Sequence, residues 1–281
     1  MINILVTGAS GNVGREVVNS LNLDKNIKVI SAVGSKDQLA KTKDAVLFDF
    51  MDESTWDDAL IGIDKLFLMR PPAISDVKTY LFPVIDRATE KGIKQIVFLS
   101  LQGVQFNPLT PHFKVEKYLK RIKAPYTFIR PNFFMQNLST FYADDIKQRD
   151  EIFLPAGKGK TAFVDTRDIG AVIAKTLQGD SHIGKAYTLT GSDSLDYYQV
   201  ANVLSKELNR TIVYRNPSVQ QYVDRLKTNK TDEGFIKVQK MLYFVVRHNL
   251  SAGSTDDIFN LLGRKPITFK QFAHEYVKNW K

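Results

Sequence analysis

Ile2-Asn3-Ile4-Leu5-Val6-Thr7-Gly8-Ala9-Ser10-Gly11-Asn12-Val13-Gly14 is the stretch that decides the fold. Its first five residues form a short, mostly β-branched run of the kind found in strands covered on both faces. Gly8, Gly11 and Gly14 follow at three-residue spacing, and Asn12–Leu21 has the periodicity of an amphipathic helix. Glycine in the first place permits a sharp exit from the strand. In the second it lets backbone approach a phosphate with no Cβ in the way, and in the third it lets the helix pack close to the sheet. The helix would turn its free N–H groups and positive dipole end toward an anion. A strand, this turn and a helix in that order predict a dinucleotide pyrophosphate cradle at Gly8, Ser10, Gly11, Asn12, Val13 and Gly14.

Further strand-like runs lie at Lys28–Ala32, Ala45–Phe48, Lys65–Met69, Gln95–Leu99 and Tyr126–Arg130. Helical patterns separate them near Asn12–Leu21, Ser54–Leu60, Val77–Lys91 and Pro111–Ile122. Apolar strands alternating with helices predict an α/β fold, a doubly wound and mostly parallel Rossmann sheet covered on both faces. Beyond Pro131 the pattern loosens. A helix is expected near Phe134–Lys147, and another from Thr166 to about Leu177, with Asp165 and Thr166 able to cap it. Ala186–Leu189 reads as one more strand, and helical spacing dominates from Asp196 onward. The division expected is a dinucleotide-binding domain over residues 1–150, with residues 160–192 returning to it, and a smaller, mainly helical C-terminal lobe over 193–281.

At 281 residues the chain can bury a substantial core, and 43% apolar with 25% charged residues is an ordinary globular mixture. There is no cysteine, which excludes disulfides, thiol catalysis and thiolate metal sites. The four histidines are scattered without ligand spacing, so no metal is expected. The net charge of +9 is spread along the chain rather than gathered into an arm, and reads as a solvated basic surface rather than a nucleic-acid site. No apolar run reaches the roughly 18 residues of a membrane span, and the N-terminus lacks a signal-peptide pattern, so a cytoplasmic location with no membrane partner is expected.

Selectivity between nucleotides rests on the end of the second strand. NAD-binding chains of this design carry an Asp or Glu there, about 20 residues after the glycines, for the ribose 2′-hydroxyl. Here the segment is Ser31-Ala32-Val33-Gly34-Ser35-Lys36, with no carboxylate before Asp37. Ser35 and Lys36 offer a hydrogen bond and a charge to a 2′-phosphate, so NADP is expected, with NAD possible.

Several more segments join the glycine turn: Phe48-Asp49-Phe50-Met51-Asp52, Phe98-Leu99-Ser100-Leu101-Gln102-Gly103 and His112-Phe113-Lys114-Val115-Glu116-Lys117. To these are added Tyr126-Thr127-Phe128-Ile129-Arg130-Pro131-Asn132-Phe133-Phe134-Met135-Gln136-Asn137 and Val164-Asp165-Thr166-Arg167-Asp168-Ile169-Gly170. In this order they resemble the NmrA-like atypical short-chain dehydrogenases/reductases over nearly the whole chain. The pattern is most similar to the bacterial type 2 NADPH quinone oxidoreductases and triphenylmethane-dye reductases. The resemblance implies that Asp49 and Phe50 flank the adenine, and that Met69 and Arg70, after Leu68, lie beside the adenosine ribose and pyrophosphate. It also implies that Ser100 and Leu101 line the nicotinamide side while Asn132 and Phe133 close over it.

Short-chain dehydrogenases that perform acid–base catalysis use a Tyr-x-x-x-Lys pair. None of the eleven tyrosines here has a lysine four residues on. The corresponding helix offers His112 and Glu116, whose i,i+4 spacing would let them bond each other, and they are the catalytic candidates. The expected function is an NAD(P)H-dependent oxidoreductase passing hydride to a quinone-like or aromatic small molecule. Two alternatives stay open: a non-catalytic NAD(P)-sensing regulator with a protein partner, and a nucleotide-sugar epimerase-like protein. Either a monomer or a homodimer is compatible with the sequence.

Overall fold

A computed structural model describes all residues, 1–281. The strands are β1 (Ile2–Val6), β2 (Ile27–Val33), β3 (Ala45–Leu47), β4 (Lys65–Met69), β5 (Gln95–Leu99), β6 (Tyr126–Pro131), β7 (Glu151–Ile152), β8 (Ala186–Leu189) and β9 (Val213–Tyr214). The helices are α1 (Asn12–Leu21), α2 (Lys36–Lys41), α3 (Trp56–Leu60), α4 (Val77–Tyr80), α5 (Phe82–Glu90), α6 (Pro111–Arg121), α7 (Ala143–Arg149) and α8 (Thr166–Leu177). They continue as α9 (Tyr197–Leu208), α10 (Val219–Thr228), α11 (Glu233–Arg247), α12 (Asp257–Leu262) and α13 (Phe269–Glu275). Two compact units share these elements. The first comprises Met1–Pro131, Thr166–Leu189 and Asp257–Arg264, and the second Asn132–Asp165, Thr190–Asp256 and Lys265–Lys281.

The first unit is built on a parallel sheet of order β3-β2-β1-β4-β5-β6-β8. Its central strands are mostly apolar because both faces are covered, and every residue of β5 is buried, Gln95 included. Leu66, Leu68, Phe98 and Phe128 pack with Val84 and Ile85 of α5 and with Val115 and Leu119 of α6. Elsewhere α1 meets α8 so closely that a Cβ on Gly170 would stand 2.6 Å from the Glu16 carbonyl carbon. The order of strands reverses between β1 and β4, and in doubly wound sheets the crevice outside the carboxyl ends at that point is where ligands bind.

The second unit pairs β7 with β9 in a short parallel ribbon and packs α7, α9, α10, α11 and α13 around an aromatic core that includes Tyr222, Tyr243, Phe272 and Trp280. Trp280 is wholly buried, and its indole N–H donates to the Leu138 carbonyl at 2.8 Å. Capping boxes at Asp196/Gln199 and Ser218/Gln221 start α9 and α10.

Three sequence expectations change. The helix read across Val77–Lys91 breaks at Leu81, because Pro83 has no N–H for the turn before it. The helix read across Phe134–Lys147 is a 3₁₀ turn over Met135–Leu138 followed by α7, since Ser139 Oγ and Thr140 Oγ1 both donate to the Gln136 carbonyl and divert the chain. The sheet unit ends at Pro131 rather than at residue 150, because Met135, Leu138, Tyr142 and Ile146 are buried in the second core. Within residues 193–281, Asp257–Arg264 belongs to the sheet unit. There Asp257 Oδ2 accepts from the Thr188 N–H at 2.7 Å, and Arg264 pairs with Asp168 at 2.6 Å. No helix is long and apolar enough to cross a membrane.

Candidate dinucleotide site and aromatic pocket

Thr7 fastens the crevice at the switch point. Its hydroxyl donates to the Phe67 carbonyl at 3.0 Å and accepts from the Met69 N–H at 2.8 Å, which binds the ends of β1 and β4 together. Gly8 then takes φ +63°, and a Cβ there would stand 2.1 Å from Met69 Cε. This left-handed conformation favours glycine even if the flexible Met69 side chain moves aside. A Cβ on Gly14 would meet the Gly8 carbonyl oxygen at 2.1 Å. The third glycine therefore folds α1 onto the turn itself, where the sequence reading had it accommodating the sheet. Gly11 is the N-cap of α1, without a side-chain cap, and its own N–H donates to the Gly8 carbonyl at 2.9 Å. The N–H groups of the first turn, at Asn12, Val13 and Gly14, lack intrahelical acceptors and are the donors a pyrophosphate needs.

The other cofactor candidates of the sheet unit lie at or just after the carboxyl ends of β2, β3, β4 and β5. Ser35 and Lys36 are exposed beyond the end of β2. Ser35 Oγ caps α2 by accepting from the Gln38 N–H at 3.3 Å, and Gln38 Oε1 accepts from the Gly34 N–H at 3.2 Å. The Asp49 carboxylate accepts from the Met51 N–H, while its carbonyl accepts from the Trp56 indole at 2.7 Å. Phe50 is buried edge-on to Phe48, with ring centroids 4.9 Å apart. Arg70 folds back on its own loop, Nη1 donating to the carbonyls of Pro71, Pro72 and Ile74 at 2.9, 3.1 and 2.6 Å. At the end of β5, Ser100 is buried, its N–H held by the Ile129 carbonyl, and its Oγ has no partner; Leu101 beside it is half-buried. A buried hydroxyl with no partner in the chain fits a polar cofactor group.

His112 and Glu116 do not bond each other. The Glu116 carboxylate is taken by Arg130 of β6, at 2.9 Å from Nε and 2.6 Å from Nη2, and both groups are largely buried. This ion pair overrides the i,i+4 spacing because a bidentate guanidinium satisfies both carboxylate oxygens at once. His112 is left beside the Phe98 ring, at 6.0 Å between centroids. Burial, and then the Arg70 charge, pull its imidazole down to about 3.

In the second unit, Asn132 spends its amide locally: Nδ2 donates to the Ser251 carbonyl and Oδ1 accepts from the Phe133 N–H, each at 2.8 Å. Phe133 and Phe134 line a cavity of about 160 Å³ with Phe141, Phe163, Phe235 and Tyr197. Tyr142, Tyr243 and Gln239 complete its polar end. The Tyr142 and Tyr243 hydroxyls bond each other, and Gln239 Oε1 accepts from Tyr142 and Tyr222.

Residues 2–272 match the NmrA-like family. The chain belongs to the NmrA-like family. Its relatives within curated proteins include "Prestalk A differentiation protein A" of Dictyostelium discoideum, 31% identical over 99% of this chain and 93% of that one. Another is "NAD(P)H azoreductase" of Xenophilus azovorans, 29% identical over 98% of each. Among solved structures, the NADPH-dependent quinone oxidoreductase of Escherichia coli complexed with NADPH superposes with a TM-score of 0.85. It is 24% identical over 98% of this chain and 99% of that one, which establishes a common fold.

The polar end of the cavity in this NmrA-like chain escaped the sequence reading. Its members come from the N-cap of α7 and from α11, and the one local signal is Gln239 standing four residues before Tyr243.

Proposed function

We propose that this NmrA-like protein is an NAD(P)H-dependent oxidoreductase that passes hydride to a quinone-like or other flat aromatic small molecule. The observation that carries the reading is the Gly8–Gly14 cradle at the topological switch point, with open α1 donors and the unpartnered Ser100 hydroxyl near the strand ends. Relatives named as an azoreductase and a quinone oxidoreductase support the choice of acceptor.

When bound, NADPH supplies the hydride. The chain's residues bind and orient. The backbone of Gly11–Gly14 holds the pyrophosphate through N–H groups. Ser35 and Lys36 meet the 2′-phosphate, and no carboxylate at the end of β2 competes with it. Asp49 and Phe50 bound the adenine end through backbone and ring edge, with Met69 and Arg70 behind the pyrophosphate turn. Ser100 Oγ donates to or accepts from the nicotinamide end, beside Leu101. His112 stays neutral above acidic pH and so has no imidazolium proton to deliver, while Glu116 is committed to Arg130. Neither acts as an acid or base, and solvent protonates the reduced acceptor. Asn132 sets the backbone of Phe133 at the aromatic pocket.

The experiment is a titration of NADPH and NADH followed by turnover with a panel of quinones and azo dyes. Consumption of NADPH with any of them supports the reading. Tight binding without consumption would favour a nucleotide-sensing regulator.

A further inference from the structure

The cavity within the second unit has a composition unlike that of a general solvent cleft. Its lining is aromatic or aliphatic except for Asn137, Gln239 and the tyrosine hydroxyls, and contains no Asp, Glu, Lys or Arg. At about 160 Å³ it is smaller than the roughly 300–1,000 Å³ of pockets that engulf drug-sized ligands. A flat ligand would therefore enter one or two fused rings deep, stacking on Phe133, Phe134 and Phe163.

The Gln239 amide turns its oxygen toward two tyrosines. A phenol has one proton to give. Tyr142 and Tyr222 give theirs to Gln239 Oε1, at 3.2 and 3.3 Å, and Tyr243 is then the donor in its bond to Tyr142. Burial pushes the Tyr142 and Tyr243 phenols well up from their ordinary value, so they remain protonated donors. With the carbonyl oxygen occupied twice, Gln239 Nε2 is left as a donor without a partner in the chain, on the lining of an otherwise apolar cavity. A donor there is open to a ligand that accepts from it.

We propose that this cavity is a recognition site for an uncharged one- or two-ring aromatic carrying a neutral acceptor atom, a carbonyl oxygen or azo nitrogen, that accepts a hydrogen bond from Gln239 Nε2. Naming the occupant as the hydride acceptor rests on the oxidoreductase reading; the binding chemistry does not. Gln239 is a specificity residue, and the Tyr142–Tyr222 pair positions it. A carboxylate would have to shed water in a cavity with no cation to receive it.

The test measures equilibrium dialysis of three probes with the whole chain and no nicotinamide present: 1,4-naphthoquinone, naphthalene and 2-naphthoate. The absence of cysteine removes thiol addition to the quinone as a complication. The quinone should bind about three- to tenfold more tightly than naphthalene, the range of one net hydrogen bond, and 2-naphthoate more weakly than either. Gln239→Leu should reduce the quinone-to-naphthalene ratio to about one, and Gln239→Met, closer in shape, repeats the comparison should the leucine variant unfold. Equal binding of quinone and naphthalene by the wild type, a ratio unchanged in a folded variant, or naphthoate binding as tightly as the quinone would overturn the inference. Failure of NADPH turnover with the quinone preference intact would instead overturn the oxidoreductase reading and leave the site standing.

Discussion

Arg130 holds Glu116 with two prongs, 2.9 Å from Nε and 2.6 Å from Nη2, and thereby ties α6 to β6. Removing one partner strands the other charge in a largely buried place, which typically costs about 3–5 kcal/mol. Glu116→Leu should lower stability by that order in urea denaturation. The double change Glu116→Leu with Arg130→Met should recover most of the loss, since no unpaired charge remains. A double variant no more stable than the single would mean that packing at these positions, rather than charge, sets the cost.

The same ion pair leaves His112 without a carboxylate, and its native imidazole titrates at about 3 against an ordinary 6.5. Between those values the unfolded chain binds a proton that the native state refuses, so the His112 contribution is complete above pH 6.5 and is lost as pH falls toward 3. His112→Gln should flatten the decline of stability across this window. With a quinone acceptor it should lower kcat by less than about tenfold, ~1.4 kcal/mol of barrier, with no inflection near neutrality. A loss above roughly a hundredfold with NADPH affinity intact would make His112 a proton donor.

Gly11 tests the cradle. A Cβ there stands 3.3 Å from the Gly8 carbonyl oxygen, tight but tolerable, so a larger side chain projects mainly into the space the pyrophosphate needs. Gly11→Val should remain folded by circular dichroism and lose NADPH binding by fluorescence titration. Unchanged affinity would remove the turn from the site.

The sheet and the glycine turn were legible because their rules are local: buried strands are mostly continuous apolar runs, and the glycines answer to backbone demands within one turn. Pro83 carried its helix break in plain view, whereas the break after Leu138 depended on two hydroxyls finding the same carbonyl. Gly170 shows the limit. Its need for no side chain comes from Glu16, remote in the chain, and nothing beside Gly170 announces that neighbour. The i,i+4 reading of His112 and Glu116 failed for the same reason, because Arg130 arrives from the next strand. The Gln239 amide meets Tyr142 and Tyr222 from separate elements, and nothing beside Gln239 in the sequence announces either neighbour.

Lys36 is exposed just beyond the end of β2, the place proposed for the 2′-phosphate. Lys36→Ala should weaken NADPH more than NADH in parallel titrations, because only NADPH carries that phosphate. Equal losses would mean that Lys36 acts through general surface charge.

On the proposed function, this chain holds a nicotinamide and a flat acceptor and donates no proton of its own. The most direct measurement is anaerobic mixing of the wild-type protein with NADPH and a quinone, following nicotinamide oxidation and quinol formation together across neutral pH. Hydride transfer without a protein acid requires equal amounts of NADPH oxidised and quinol formed, a pH profile without an inflection from His112, and loss of both signals in Gly11→Val. NADPH that binds but is never consumed by quinones or azo dyes, in a protein folded and saturated with nucleotide, would contradict it.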